Sequence, residues 1–178
     1  MPCGHRCGAL ARRARCERTL SGPPGGRGAF ARAQGADEVI DRTRTHVIAE
    51  TKRLTGGRGV DVVFDSIGKA TLRESFRATR KKGLVVAYGS VSGSVKDLDP
   101  IELGEAGSLF LTRPRLADHI QDAETTRRRA REIFAALIDG SLKIDVAGRY
   151  SLDDVGQAHA ALEERRMIGK PVLVMDPR

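Results

Sequence analysis

The stretch Val60-Asp61-Val62-Val63-Phe64-Asp65-Ser66-Ile67-Gly68 constrains the fold more than any other. Val60, Val62, Val63 and Phe64 are β-branched or aromatic, and Gly59 and Gly68 bound the run. That pattern predicts a strand buried on both faces and ending in a glycine turn. A helical pattern follows. Leu72, Ser75, Phe76 and Thr79 mark its inner stripe, and Arg80, Lys81 and Lys82 close it, where cations suit the helix dipole. A second apolar run comes next, Leu84-Val85-Val86-Ala87-Tyr88-Gly89. Strand, helix, strand within about 30 residues is the βαβ unit of a parallel sheet. Ligands of such sheets bind outside the carboxyl ends of the strands, so Ser66 to Gly68 and Gly89 to Gly93 would lie there together.

The flanks extend the pattern. On the amino side, Ala29 to Gln34 reads as a helix end stopped by Gly35, and Glu38-Val39-Ile40 as a short strand. Thr45 would cap a helix running to Leu54 and burying Val47, Ile48 and Leu54. On the carboxyl side, Ser108-Leu109-Phe110-Leu111-Thr112 is a third apolar strand, halted at Arg113-Pro114 because proline cannot donate to a ladder. Glu124 to Asp139 is a helix with Ala130, Ile133, Phe134, Leu137 and Ile138 on one face and Gly140 at its end. Its Arg127-Arg128-Arg129 run, with Arg131, lies within helical reach of Glu124 and Glu132 and reads as a solvated face. Ser151-x-x-Asp154 resembles a capping box before a helix with Val155, Ala158, His159 and Leu162 on one stripe. On that stripe His159 is a packed core histidine rather than a catalytic one. Gly169 to Met175 closes the chain as a strand.

Composition narrows the function. The net charge of +8 suggests nucleic acid, but residues 1–36 hold seven arginines against one acid, Glu17. The other 142 residues carry only +2, so the charge belongs to the leader and not to a folded binding face. No apolar run approaches the roughly 20 residues of a membrane span. Cys3, Cys7 and Cys16 all lie in the leader, which argues against a disulfide framework and for a reducing, cytoplasmic compartment. With His5 they lack the paired C-x-x-C spacing of zinc modules, so no metal site is expected. The Arg-rich, acid-poor leader has no apolar signal core; a transit peptide is one reading, and disorder over residues 1–30 the blander one. Gly26-Arg27-Gly28-Ala29-Phe30-Ala31 fits G-x-G-x-x-A, yet Pro-Pro-Gly precedes it and only two helical turns follow. The dinucleotide fingerprint needs a strand before and a long helix after, so the match is rejected.

Three segments then carry a resemblance: Gly35-Ala36-Asp37-Glu38-Val39-Ile40, Thr55-Gly56-Gly57-Arg58-Gly59 running into the central strand to Gly68, and Gly107-Ser108-Leu109-Phe110-Leu111-Thr112-Arg113-Pro114. In order and spacing they resemble the quinone oxidoreductase branch of the zinc-free medium-chain dehydrogenase/reductase superfamily. The resemblance implies an α/β, Rossmann-type doubly wound parallel sheet and NADPH-dependent reduction of a quinone or enone. It implies cofactor contacts at Ile67 and Gly68, at Ser90, Val91 and Ser92, and at Phe110, Leu111 and Thr112. Small hydroxyls and bare backbone suit such contacts. Ordinary turn chemistry is the competing reading for the serines, and strand packing for the side chains of Phe110 and Leu111. Arg42 falls near the position that faces the adenosine 2′-phosphate, which favours NADPH over NADH. No catalytic acid or base is named, and zinc chemistry is disfavoured because the body holds no cysteine.

The same resemblance makes the fold a partial one. The expected layout is a leader over 1–30, a partial dinucleotide-binding domain over 31–141, and a segment over 142–178 that would return to a substrate domain not present. The first strands of the sheet would be missing, leaving Val39-Ile40 without neighbours and Val60–Asp65 as an exposed apolar edge. The chain then reads as the product of a truncated gene. It would be a reductase by inheritance, or a non-catalytic module pairing with another chain, as in a homodimer.

Overall fold

A computed structural model describes residues 19–22, 26–164 and 167–175. They form two compact units, one running to Arg131 and the other starting at Glu132. Residues 1–18, and with them Cys3, His5, Cys7 and Cys16, lie outside the described residues.

The first unit begins with β1 (Thr19–Gly22), α1 (Gly26–Ala33) and β2 (Glu38–Asp41). β1 and β2 pair in parallel, Thr19 opposite Glu38 and Gly22 opposite Asp41. Ala31 and Ile40 are buried where helix meets strand. Gly35 ends α1 as its position requires. It has φ 95°, its N–H donates to the Arg32 carbonyl at 2.8 Å, and that of Ala36 donates to Ala31 at 2.9 Å. This is the Schellman arrangement.

Two expectations are corrected here. The stretch up to residue 30 is not all leader, and Val39-Ile40 does have a neighbour, because β1 pairs with it. Thr-Leu-Ser-Gly has one large apolar residue, too few for an alternation to show. A strand therefore does precede Gly26–Ala31, so that part of the case against the fingerprint fails. The other part stands, since α1 has only eight residues.

Helix α2 (Val47–Leu54) starts one residue later than Thr45 would allow, with His46 at its N-cap and no side-chain cap bond. Asp41 draws the preceding turn inward instead. Its Oδ1 accepts from the Thr43 N–H at 2.9 Å and the Thr43 hydroxyl at 2.7 Å. Thr51 is the buried residue of this helix, and Val47, Ile48 and Leu54 are half-buried.

The central sheet is β3 (Val60–Asp65), β4 (Thr79–Ala87) and β5 (Phe110–Thr112), parallel throughout, in the order β3-β4-β5. Helix α3 (Leu72–Ala78) makes the crossover from β3 to β4, and α4 (Ile101–Glu105) precedes β5. One face of this sheet is packed. Leu72, Phe76, Val85, Ala87 and Leu109 form its buried cluster, with Val63, Leu103, Ala106 and Leu111 against it. Arg73 pins α3 to α4 through Glu102, with Nε–Oε2 at 2.7 Å and Nη2–Oε1 at 2.9 Å.

The other face corrects the expectation of burial on both sides. Val62, Phe64 and Phe110 are 41%, 56% and 62% exposed. Periodicity marks residues able to be buried; it does not supply the layer that buries them. A second correction concerns the basic cluster. α3 stops at Ala78, and Arg80, Lys81 and Lys82 lie in a bulge of β4 between the pairs Val60–Thr79 and Val62–Leu84. Arg80 bonds Asp61 rather than a helix end.

Helix α5 (Leu116–His119) follows, and α6 (Ala123–Ile138) runs across the boundary between the units. Its expected apolar face is largely open, with Ile133, Phe134 and Ile138 exposed and Ala136 buried. The second unit holds β6 (Val146–Ser151), α7 (Val155–Glu163) and β7 (Lys170–Val174), with β6 and β7 parallel, a βαβ unit of its own. The expected capping box is displaced: the Ser151 hydroxyl donates to Asp154 Oδ2 at 2.7 Å and accepts from the Asp154 N–H at 3.2 Å, but the N-cap of α7 is Asp154, with no side-chain cap bond. His159 is exposed and not packed; Ala158 and Ala161 make the buried stripe. No helix among the described residues is long and apolar enough to cross a membrane.

Candidate functional site

Because β3, β4 and β5 run in parallel, their carboxyl ends share one edge of the sheet. Phe64, Val86 and Thr112 lie in one row across it, and Asp65 pairs with Ala87 one step nearer the edge. The segments carrying Gly68, Ser90 and Thr112 thus leave from a common rim.

Asp65 anchors the first exit. It is only 4% exposed, a burial that a carboxylate tolerates when its lone pairs are filled. Its Oδ1 accepts from the N–H of Ile67 at 2.8 Å and of Gly68 at 3.0 Å. The Thr71 hydroxyl lies 2.9 Å from both carboxylate oxygens, and the Ser75 hydroxyl donates to Oδ2 at 2.8 Å. One buried group therefore ties the end of β3, the turn after it and the first turns of α3 together.

The second exit folds against the first. Tyr88 N–H donates to the Asp65 carbonyl at 2.9 Å, Ser92 N–H to Ile67 at 2.8 Å, and Lys69 N–H back to Gly93 at 3.1 Å. Gly68 sits at φ 88°, and a Cβ there would come 2.8 Å from the Gly93 carbonyl oxygen and 3.0 Å from Ser90 Cα. A Cβ on Gly89 would meet Ser66 Cα at 2.8 Å. The absent side chains are what let the two loops touch.

The residues singled out by the sequence divide here. Ile67, Gly68, Ser90, Val91 and Ser92 are brought together by these contacts, and Phe110, Leu111 and Thr112 end the third strand of the same rim. Val91 is exposed, as are Ser90 and Thr112, whose hydroxyls bond no described residue. Leu111 packs into the core as expected, but Phe110 does not, being on the open face of the sheet. Arg42 stands apart: its Nη2 pairs with Glu74 Oε2 of α3 at 2.9 Å.

Asp65, Thr71 and Ser75 were missed. An acid at a strand end, two residues before an apolar-Gly turn and six before a threonine, is the signal that could have found them. It matches an acceptor aimed at the following N–H groups.

Residues 34–173 match the family model described as "Zinc-binding dehydrogenase". The chain is 37% identical over 142 residues to "Quinone oxidoreductase" of Salmonella typhimurium, covering 79% of this chain and 43% of the relative. It is 36% identical over 145 residues to "2-haloacrylate reductase" of a Burkholderia species, covering 81% of this chain and 44% of the relative. The crystal structure of Escherichia coli quinone oxidoreductase complexed with NADPH superposes with a TM-score of 0.89 at 31% identity, over 96% of this chain and 53% of that one. The chain thus spans about half the length of the relatives it matches or less. The family's description names zinc, but zinc does not fit the described residues. Among them no group of three or more His, Cys, Asp or Glu could hold a metal ion.

Proposed function

The chain belongs to the zinc-binding dehydrogenase family, in the quinone oxidoreductase branch of the medium-chain dehydrogenase/reductase superfamily, and from that premise we propose that its rim binds NADPH for the reduction of a quinone or enone. The observation that carries this reading is the interlocked pair of exit loops. Gly68 and Gly89, where a Cβ would strike the facing loop, let the two exits close against each other. The free hydroxyls of Ser90 and Thr112 suit a ribose or an amide, and Val91 and Phe110 offer apolar contact beside them. The nicotinamide, when bound, supplies the hydride; the protein's part is placement and polarity. No side chain at the rim is assigned to proton transfer.

The relative complexed with NADPH supports that cofactor here. Arg42 would serve a 2′-phosphate by leaving Glu74. Titration of the chain with NADPH, followed by cofactor fluorescence, tests the reading. We expect saturable binding, weakened by Ser90→Ala and Thr112→Ala and accompanied by NADPH oxidation when a small quinone is added. No binding at millimolar NADPH overturns it.

One observation favours a second reading, in which the chain pairs with another copy of itself. The apolar face bearing Val62, Phe64 and Phe110 is open among the described residues, and β3 has no strand on its outer side there. Light scattering across a concentration series decides it: a constant monomer mass removes this reading.

A further inference from the structure

Of the two serine hydroxyls between Gly89 and Gly93, one is committed within the protein and the other bonds no described residue. Ser92 Oγ donates to the Ile67 carbonyl at 2.7 Å and accepts from the Ala70 N–H at 2.9 Å. Its single proton is therefore committed within the protein, and one of its lone pairs as well. Both partners belong to the other loop, 25 and 22 residues away in sequence. Ser90, two residues earlier, is exposed and its hydroxyl bonds no described residue. Ala70 N–H, at the amino end of the α3 crossover, takes no backbone acceptor, so Ser92 Oγ is what satisfies it.

We propose that Ser92 is a positioning residue: its hydroxyl is the latch that holds the exit loops of β3 and β4 in one arrangement, and Ser90, two residues before it, keeps its hydroxyl for the cofactor. This rests on the rim being the NADPH site. The latch complements the backbone bonds on either side of it, Ser92 N–H to Ile67 and Lys69 N–H to Gly93. Without it the loops keep those two bonds but lose the pair that fixes the tip of the crossover. A site whose donors must be held to within a fraction of an ångström then loosens. Ser92 thereby acts on the ligand through Ile67 and Ala70 rather than by touching it.

The test combines amide hydrogen exchange of the free chain with NADPH titration, on the full chain and on Ser92→Ala, Ser92→Thr and Ser90→Ala. Ser92→Thr keeps the hydroxyl at an exposed position. We expect Ser92→Ala to raise exchange at Ala70 roughly tenfold and weaken NADPH roughly fivefold, the loss of a modest hydrogen-bond pair. Ser92→Thr should restore both. Ser90→Ala should weaken NADPH with Ala70 exchange unchanged. Unchanged Ala70 exchange in Ser92→Ala overturns the latch. Faster exchange with undiminished affinity overturns its positioning role. A wild-type chain that binds no NADPH sinks the cofactor reading itself, and the exchange data still show whether the loops are latched.

Discussion

Asp61 and Asp65 lie on the same strand, four residues apart, and are stabilised in opposite ways. Asp65, at the carboxyl end, is buried and surrounded by neutral donors from its own loop and helix. Asp61, toward the amino end, is 56% exposed and held by two guanidiniums. Arg58 chelates it at 2.8 and 3.0 Å, and Arg80 Nε reaches it at 2.6 Å. The amino end also carries non-glycine residues with positive φ, Lys82 and Ser108, both at 56°. At the rim the positive φ angles fall on glycines, Gly68 and Gly93. One end is organised by a buried, direction-specific network and the other by exposed charge. The physical chemistry says that the first should be costly to break and the second cheap.

That contrast can be broken by mutation, beginning with Asp65. Alanine there leaves one buried and one half-buried N–H group and two hydroxyls without that acceptor, and we expect a loss of at least about 3 kcal/mol in urea unfolding. Asn should recover much of it, since its carbonyl can keep the two backbone donors. A loss under about 1 kcal/mol for Asp65→Ala would refute the buried anchor. Next is Gly68→Ala, which combines a positive φ with a backbone clash and should cost about 2 kcal/mol or more. Gly93→Ala shares the positive φ but has nothing within 4 Å of the added Cβ, so it should cost clearly less. Equal effects would mean that loop contact is not what demands Gly68.

At the amino end, the bonds from Arg58 and then Arg80 hold the Asp61 carboxyl far below the usual carboxylate range. A depressed folded pKa contributes stability that is complete above the unfolded value of about 3.9. It is lost as pH falls through the lower folded one. Asp61→Asn should therefore lower stability near neutral pH by less than Asp65→Ala does. The deficit should shrink below about pH 4 and also in about 1 M salt, where the Debye length is about 3 Å. A deficit indifferent to both would assign Asp61 a role other than charge. The smallest effect should come from Lys82→Gly, a gain of roughly 0.5 kcal/mol from relieving a left-handed lysine, net of glycine's entropy. A loss would show that the lysine side chain contributes more than its backbone costs.

The same contrast explains what the sequence disclosed. β3, β4 and β5 were legible because short apolar runs between glycines, or before Arg113-Pro114, can hardly be anything but strands. Their parallel order followed from the helix between the first two, and with it the shared rim of Gly68, Ser90 and Thr112. β1 and β6 were not legible. Thr-Leu-Ser-Gly and Val-Ala-Gly-Arg-Tyr-Ser carry too few large apolar residues to show a period. The open face was misread because Phe64 and Phe110 look like core residues whether or not anything covers them. Inside the rim, the division of labour between Ser90 and Ser92 depends on which hydroxyl finds a partner more than 20 residues away, and no local pattern encodes that.

The rim as cofactor site is tested most directly by an amide-resolved NMR titration of the full chain with NADPH. We expect the largest shifts at Gly68, Ser90, Val91 and Thr112, saturating together, with Lys82 and Gly107 at the amino end of the sheet unmoved. Shifts that spare the rim, or that gather at the amino end, would contradict it.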